Sequence, residues 1–599
     1  MTINNISKHC VLFVLLGISL NLFAQNKATE MTNTALDRAP TTSQPDDPVA
    51  YYRERVEALG LIRQENWAAA KPILENLTTE YQDDGDTWYA LGLSYLQSQE
   101  WENAIHALKR TLALGTALHN IPTGSPPSND IMIRIAEAYG RLGDEKNAIA
   151  WIERSLAARW DDRPTLAGTS LFTQGRNPKF SAFETSEVFQ RVSGSYLDDT
   201  LSRDEAWRQD LIFLTKEIKR LHVNMYHSVS PDVFQNSVDD INARIPSLSD
   251  QQVVFEFMRL LALVGNGQNF IVPGFGARGS FSQLPMQFYW FSDGLFVVNA
   301  SEAYEQWVGY KVEAFGSTPT AVALEKTKAI NARDNEMQQR WLSPYYLSLP
   351  TVLEGLAIVD SSQGFTLTLS DNTGMESIIE PDSSPLYFQG FPKLPSPSSG
   401  VAQRYLSNNN DNYWSELIPE NNMLYVQFND VVNKGSSSLE DFNLALRIQI
   451  TDEQVDNLVL DLRHNSGGDG SLTPPMIATM VFFEATKPAG KMFVLSGRNT
   501  FSAAHNLLVD ITRLTNAIVV GEPSGSRPNA ISESGWFNLP YSKLTGIVSS
   551  QFHQTSGPED HRIWVAPHLP VSLSSADYFS GRDPAMEAIF RIIGVGENN

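Results

Sequence analysis

The residue pattern with the most chemical reach is a serine at the start of a helix, facing a glycine-rich turn. Ser502 opens the run SAAHNLLVDITRL, after the apolar stretch KMFVLS and the short link GRNT. Earlier in the chain, NLVLDL runs into RHNSGGDG, which carries Gly467 and Gly468. A hydroxyl at a helix N-terminus lies where the helix dipole favours developing negative charge, and backbone N–H groups of Gly467 or Gly468 and of Ala503 would form an oxyanion hole. That chemistry is acyl transfer through a serine nucleophile. A serine at this position also has an ordinary structural use as an N-cap.

A serine hydroxyl is a weak nucleophile until a base takes its proton. His505 lies three residues beyond Ser502, one turn along the same helix, and is a candidate substitute base. An exposed helical histidine is the plainer reading of the same residue. His464, His553 and His561 fall near the same sheet face, with Glu559 and Asp560 available to orient one of them. There is no HExxH, no His-x-His and no cysteine pair, so neither a metal nor another cofactor is indicated.

These residues belong to a region of alternating strands and helices. Strands are expected at MLYVQF, NLVLDL, KMFVLS and AIVVG, with helices at PPMIATMVFF and SAAHNLLVDITRL. Such alternation implies βαβ units in a mostly parallel sheet over 420–595, with sites at the carboxyl ends of the strands. Upstream, Trp207, Leu211, Leu214, Ile218 and Leu221 follow helical spacing, and a second helix ends at Gly265. They form a helical cap over 203–275. Residues 285–375 show short alternating runs (QFYWF, LFVVNA, FTLTLS), a small β-rich domain within 280–385. The stretch FPKLPSPSSG is expected to be a surface linker.

The order LDLRHNSGGDG, LSGRNTFSAA, VVGEPSG resembles the C-terminal-processing (tail-specific) serine peptidases, in their tricorn-core and retinoid-binding-protein-like branch. The stretches KRLHVNMYHSVS, IPSLSD, FMRLLALVGNGQNF and WVAPHLPVSLSSADYFSGRDPAMEAI extend the likeness over about residues 203–595. The resemblance implies a peptide-cleaving fold with Ser502 as nucleophile and Gly467, Gly468 and Ala503 at the oxyanion region. Where His-type relatives carry Gly-Asp-Gly-His-Thr, this chain has Gly265-Asn266-Gly267-Gln268-Asn269. Gln268 thus stands at the position of a lost base, and an amide cannot act as one. The lysine of Lys-type relatives is met by Arg527, which stays protonated. The terminal Pro-Asp of the family reads Pro567-His568. Two functions remain open: an exported serine peptidase with an unusual base, or a non-catalytic descendant that binds extended peptides as a scaffold or receptor. Restoring the motif with Asn266→Asp, Gln268→His and Asn269→Thr together is expected to raise activity more than Gln268→His alone.

Ahead of this region, Trp67 and Ala70 recur 34 residues later as Trp101 and Ala104, and Trp88, Leu91, Gly92 and Tyr95 share a helix face. A third copy carries Ala136, Tyr139 and Ala148, displaced by the loop NIPTGSPPSND. Small residues at helix crossings with aromatics between pairs resemble the tetratricopeptide repeat over 50–160, a module that implies a protein partner. The overall class is therefore a multidomain α plus α/β chain: helical repeats, helical cap, small β-rich domain and peptidase-like core.

The first 24 residues have the form of a signal peptide, with Lys8 before the apolar core Val11 to Phe23 and Ala24 before Gln25. That core is too short for a comfortable membrane span, and export to the periplasm or exterior is the expectation. Cys10, the single cysteine, precedes the core. The polar segment 25–49 is expected to be a disordered linker. A formal net charge of -23 over 599 residues argues against nucleic acid and anionic membrane surfaces as partners.

Overall fold

The computed structural model describes residues 44–594, apart from 119–127, 170–177, 275–276, 361–364, 388–389, 391, 398–401, 436 and 454. The expected signal segment at 1–24, and all but the last residues of the segment 25–49, lie outside the described residues. The chain divides into two compact units after Gly194.

The first unit contains helices α1 (Pro48–Arg63), α2 (Trp67–Glu80), α3 (Gly85–Gln97), α4 (Trp101–Leu114), α5 (Ser128–Arg141) and α6 (Glu145–Ala157), each packed on the next in chain order. Trp67 and Trp101 begin equivalent helices, and Ala70, Ala104, Ala136 and Ala148 are completely buried where helices cross. Gly92 lets α3 and α4 approach closely, since a Cβ there would stand 2.9 Å from Leu108 Cδ2. Asp86, at the start of α3, accepts from the Thr116 hydroxyl and the Ala117 N–H, both at 2.8 Å. Asp130, at the start of α5, accepts from the Trp160 indole at 2.9 Å. The same device thus closes successive repeats, with a carboxylate that also suits the helix N-terminus. The expected loop NIPTGSPPSND is shorter than read, because α5 already begins at Ser128.

Beyond α6 the chain folds back. Trp160, Leu166, Phe180, Phe183 and Phe189, the last on the short helix α7 (Glu187–Ser193), bury against Ile133, Ala136 and Ile152. Lys179 pairs with Glu137 at 2.7 Å, and Gly140 passes so close to the Lys179 carbonyl that a Cβ would lie 2.4 Å from it. This segment covers the apolar face that the last repeat helices would otherwise expose. A fragment of residues 44–194 is accordingly expected to unfold cooperatively by circular dichroism. A fragment ending at 160 loses four buried apolar side chains worth about 1.5–3 kcal/mol each, and should melt far lower. Equal melting of the two would show that the cover contributes nothing.

The second unit starts with helices α8 (Arg203–Leu221), α9 (Pro231–Arg244) and α10 (Asp250–Leu263). Ser202 and Ser249 begin α8 and α10 with reciprocal capping boxes to Glu205 and Gln252. Trp207, Leu211, Leu214, Ile218 and Leu221 are all buried in one core, as their spacing requires. α10 turns through residues 265–269 into β1 (Phe270–Val272), which pairs antiparallel with β16 (Thr545–Gln554), itself paired with β15 (Asn529–Asn538).

Between these, β3 (Met286–Phe291), β4 (Gly294–Ala300), β5 (Lys311–Phe315), β7 (Leu367–Ser370) and β8 (Glu376–Ile379) form one sheet, with β6 (Thr318–Pro319) against β5. β2 (Ser282–Gln283) pairs with β9 (Ser384–Pro385). The region also holds α11 (Thr320–Lys326), α12 (Glu336–Tyr346) and α13 (Pro350–Gly355), which the strand-only reading of 285–375 missed. Asn335 caps α12 and Pro350 opens α13, both local helix-start signals.

The core sheet has the order β10 (Tyr413–Ile418), β11 (Met423–Phe428), β12 (Asn457–Asp461), β13 (Lys491–Ser496), β14 (Ile518–Gly521), β17 (Leu569–Pro570), parallel from β11 to β17. Alternate strand residues serve opposite faces. Leu424, Val426, Leu458, Leu460 and Val494 join the core with α14 (Leu439–Asp452), α15 (Pro474–Thr486) and α16 (Ser502–Leu514). Tyr425, Val459, Phe493 and Leu495 face α18 (Pro584–Ile592), which follows the short α17 (Ser575–Phe579). The stretch FPKLPSPSSG is no linker in its described part. Leu394 is buried, and the carbonyls of Pro392, Lys393 and Pro395 accept from Trp341, Gln287 and Tyr578, each at 2.8 Å. Prolines supply no N–H, but their carbonyls still bind.

Candidate active site

Ser502 sits at the carboxyl side of β13, as the first residue of α16, with φ of 49°. A non-glycine residue in this left-handed region costs on the order of 1–3 kcal/mol and needs surroundings that hold it there. Those surroundings are visible. Thr500 accepts from the Gly497 N–H at 3.0 Å and donates to the Leu462 carbonyl at 2.9 Å. The Phe501 N–H donates to the Asn465 carbonyl at 3.2 Å, and the Phe501 ring stands 5.8 Å from that of Trp341. The sharp strand-to-helix turn leaves the hydroxyl presented at the helix start, the same physical use as in a nucleophile elbow.

The glycine turn comes directly against this serine. Gly467 has φ of 115°, and a Cβ on it would meet Ser502 Cβ at 2.7 Å. Gly468, with φ of 135°, would collide with the Val431 carbonyl at 2.4 Å. The Gly467 N–H is not available to a ligand, because it donates to Asn465 Oδ1 at 3.0 Å. This corrects the expected oxyanion set. No hydrogen bond among the described residues takes up the N–H of Gly468 or of Ala503, and these two remain as donors.

Gln268 reaches Ser502 across 234 residues of sequence, its Nε2 donating to Ser502 Oγ at 3.0 Å. Its Oε1 is shielded from solvent and has no hydrogen-bond partner among the described residues. The turn that carries it is clamped on three sides. The Gly267 N–H donates to Asp334 Oδ1 at 2.9 Å, and Gln338 donates to the Gly267 carbonyl at 2.7 Å. Asn269 donates to the Gly265 carbonyl and accepts from the Ser549 N–H, the latter at 2.8 Å. Asn266, at φ of 62°, accepts on Oδ1 from His222 Nε2 at 2.8 Å and from His227 Nε2 at 2.6 Å. His222 Nδ1 accepts from the Asn224 N–H at 3.1 Å, which fixes its tautomer as the Nε2 donor.

Asp334 and Gln338 escaped the sequence reading, although they stand in the polar run NARDNEMQQR. Asp334 is buried and also accepts from the Ser526 hydroxyl at 2.6 Å; desolvation raises its pKa. Arg527 donates from Nε to the Asp334 carbonyl at 2.8 Å. It braces the clamp.

None of the described histidines is hydrogen-bonded to Ser502. His505 is buried, contrary to the exposed reading, and neither ring nitrogen makes a hydrogen bond of normal geometry. Burial pushes its pKa down to about 3, partly opposed by the Arg527 main chain. His464 is likewise buried and pushed down to about 3 by desolvation, and its ring stacks on Tyr405 at 5.3 Å. His553 lies 3.5 Å from Glu533, and His561 is exposed, 3.7 Å from Glu559. Asp560 pairs with Arg562 at 2.6 Å. His568 Nδ1 accepts from the Val519 N–H at 2.9 Å. The site therefore brings together a strained serine, two free amides and a carboxamide. It can bind and polarise an oxygen acceptor, and none of its members can take a proton at neutral pH.

Residues 55–119 and 89–163 match the tetratricopeptide repeat family. The first unit is thus built of tetratricopeptide repeats. No curated protein matches the chain. Among solved structures, the chain is similar to mature CPAF complexed with lactacystin (13% identity, TM-score 0.47, covering 65% of this chain and 98% of that one). It is also similar to a putative peptidase from Parabacteroides merdae (12% identity, TM-score 0.34, 66% and 98%). A third is the photosystem II D1 C-terminal processing protease (11% identity, TM-score 0.31, 64% and 99%).

Proposed function

We propose that the second unit is a tail-specific-peptidase-like domain that binds extended peptides and no longer hydrolyses them at a useful rate. The tetratricopeptide repeats hold a protein partner, and the protein works after export. The observation that carries this reading is the hydrogen bond from Gln268 Nε2 to Ser502 Oγ. A base in that place would accept the hydroxyl proton; a carboxamide N–H donates toward the oxygen and leaves the serine protonated. The ordered motifs around Ser502 and the two free amides support a surviving carbonyl cradle. A weak peptidase is the second reading, favoured by the φ of 49° at Ser502, a conformation that an N-cap does not need.

A fluorophosphonate probe separates the two. The non-catalytic reading expects no covalent labelling at Ser502 over hours, and no difference in peptide turnover between the wild type and Ser502→Ala. Rapid, stoichiometric labelling that disappears in Ser502→Ala would decide for the peptidase.

A further inference from the structure

We infer that the Ser502 cradle takes the free α-carboxylate of a peptide C-terminus in preference to an internal amide, an inference that rests on the peptide-binding reading above. The polarity of the hydrogen bonds leads there. Ser502 Oγ already accepts from Gln268 Nε2 at 3.0 Å, so its own hydrogen is left to donate outward. The Gly468 and Ala503 N–H groups have no hydrogen-bond partner among the described residues; Ala503 follows Ser502 directly, and Gly468 follows the glycine that packs against Ser502. The one acceptor on Gln268, Oε1, is shielded from solvent. Asp334, the carboxylate behind the Gln268 turn, is spent on the Gly267 N–H and the Ser526 hydroxyl. Asp469, beyond the glycine turn, is exposed and folded onto the N–H and hydroxyl of Ser471.

The cradle is thus rich in donors and poor in acceptors. A carboxylate offers two oxygens, about four lone-pair sites and a full charge to three donors, and charge-assisted hydrogen bonds are roughly twice as strong as neutral ones. An internal peptide group offers the same donors one uncharged oxygen, and brings an N–H to which the side-chain oxygens of Gln268, Asp334 and Asp469 are not open. The bound species is product-like: the serine that would attack a carbonyl in an active relative here donates to a finished acid.

The test compares two mixed-sequence decapeptide pools, identical except for a free acid or an amide at the C-terminus, in binding to the full chain by fluorescence anisotropy. The free-acid pool is expected to bind about 10-fold or more tightly. The net charge of -23 biases the non-specific outcome the other way, since it repels the more anionic pool. Gln268→Glu should abolish the preference, because the new carboxylate accepts the Ser502 proton and repels the ligand's carboxylate. Equal binding of the two pools by the wild type overturns the carboxylate inference and leaves peptide binding standing. Binding of neither pool, or cleavage of either, overturns the peptide-binding reading itself.

Discussion

Gln268→His is expected to raise Ser502-dependent hydrolysis of an unstructured protein substrate by about 100-fold over the wild-type background. The imidazole would replace the carboxamide whose Nε2 lies 3.0 Å from Ser502 Oγ, placing a titratable nitrogen where the proton must go. General bases contribute about 10² to 10⁴ in rate, and the lower end applies here. The shielded Gln268 Oε1 has no hydrogen-bond partner among the described residues, so the second imidazole nitrogen would find no group to orient it. The structure also reverses the expectation that restoring the whole motif does better. Asn266 points at His222 and His227, so Asn266→Asp would charge that pair instead of orienting the new histidine. Asn269 spans the Gly265 carbonyl and the Ser549 N–H. A threonine, with one oxygen, cannot make both links at that reach. The single variant should therefore outperform the triple. Turnover of a casein-like substrate by the variants, each with and without Ser502→Ala, measures it. A triple variant more active than the single, or no Ser502-dependent gain in either, would sink the account.

Arg463→Met is expected to destabilise the second unit by about 3–5 kcal/mol. Arg463 lies just before the glycine turn and bridges Asp461 at 2.6 Å and Asp583 at 2.8 Å, with its guanidinium 3.8 Å over the Tyr405 ring. The Asp461 side chain is wholly buried and already takes the Tyr425 hydroxyl at 2.7 Å. Removing the cation leaves two carboxylates facing each other away from water, and a buried charge without its partner is the expensive case. Arg463→Met combined with Asp583→Asn should recover part of the loss, because only one charge then stays uncompensated. Urea denaturation followed by tryptophan fluorescence reports the difference. A loss below about 1 kcal/mol would mean that the ion pairs are replaceable by packing.

What could be read without the structure was whatever has a local period. The 34-residue return of Trp67 as Trp101 and the burial of Ala70, Ala104 and Ala148 follow from helices that cross closely at small residues. The stripe from Trp207 to Leu221 and the alternating strands of the core are legible for the same reason: neighbours in sequence share a face. Local reading failed where a segment has no period. FPKLPSPSSG looked like a linker because it is rich in proline and serine, yet three of its carbonyls are hydrogen-bonded into the unit. The helices within 320–355 were missed because short helices between strands leave few turns of periodicity to recognise.

That Ser502 begins a helix, that Gly467 and Gly468 stand at a strand end, and that no histidine occupies position 268 can all be read along the chain. How these residues meet one another depends on long-range packing. Gln268 and Ser502 meet across 234 residues because α10, β1 and Phe501, the residue before α16, share one core, and no local spacing encodes that contact. Asn465 claims the Gly467 amide, which reduces the expected oxyanion donors to Gly468 and Ala503. Burial removes His505 from contention by making its charged form costly, more than the Arg527 main chain offsets. In each case the deciding quantity is which polar groups are already satisfied, and that depends on which surfaces pack together.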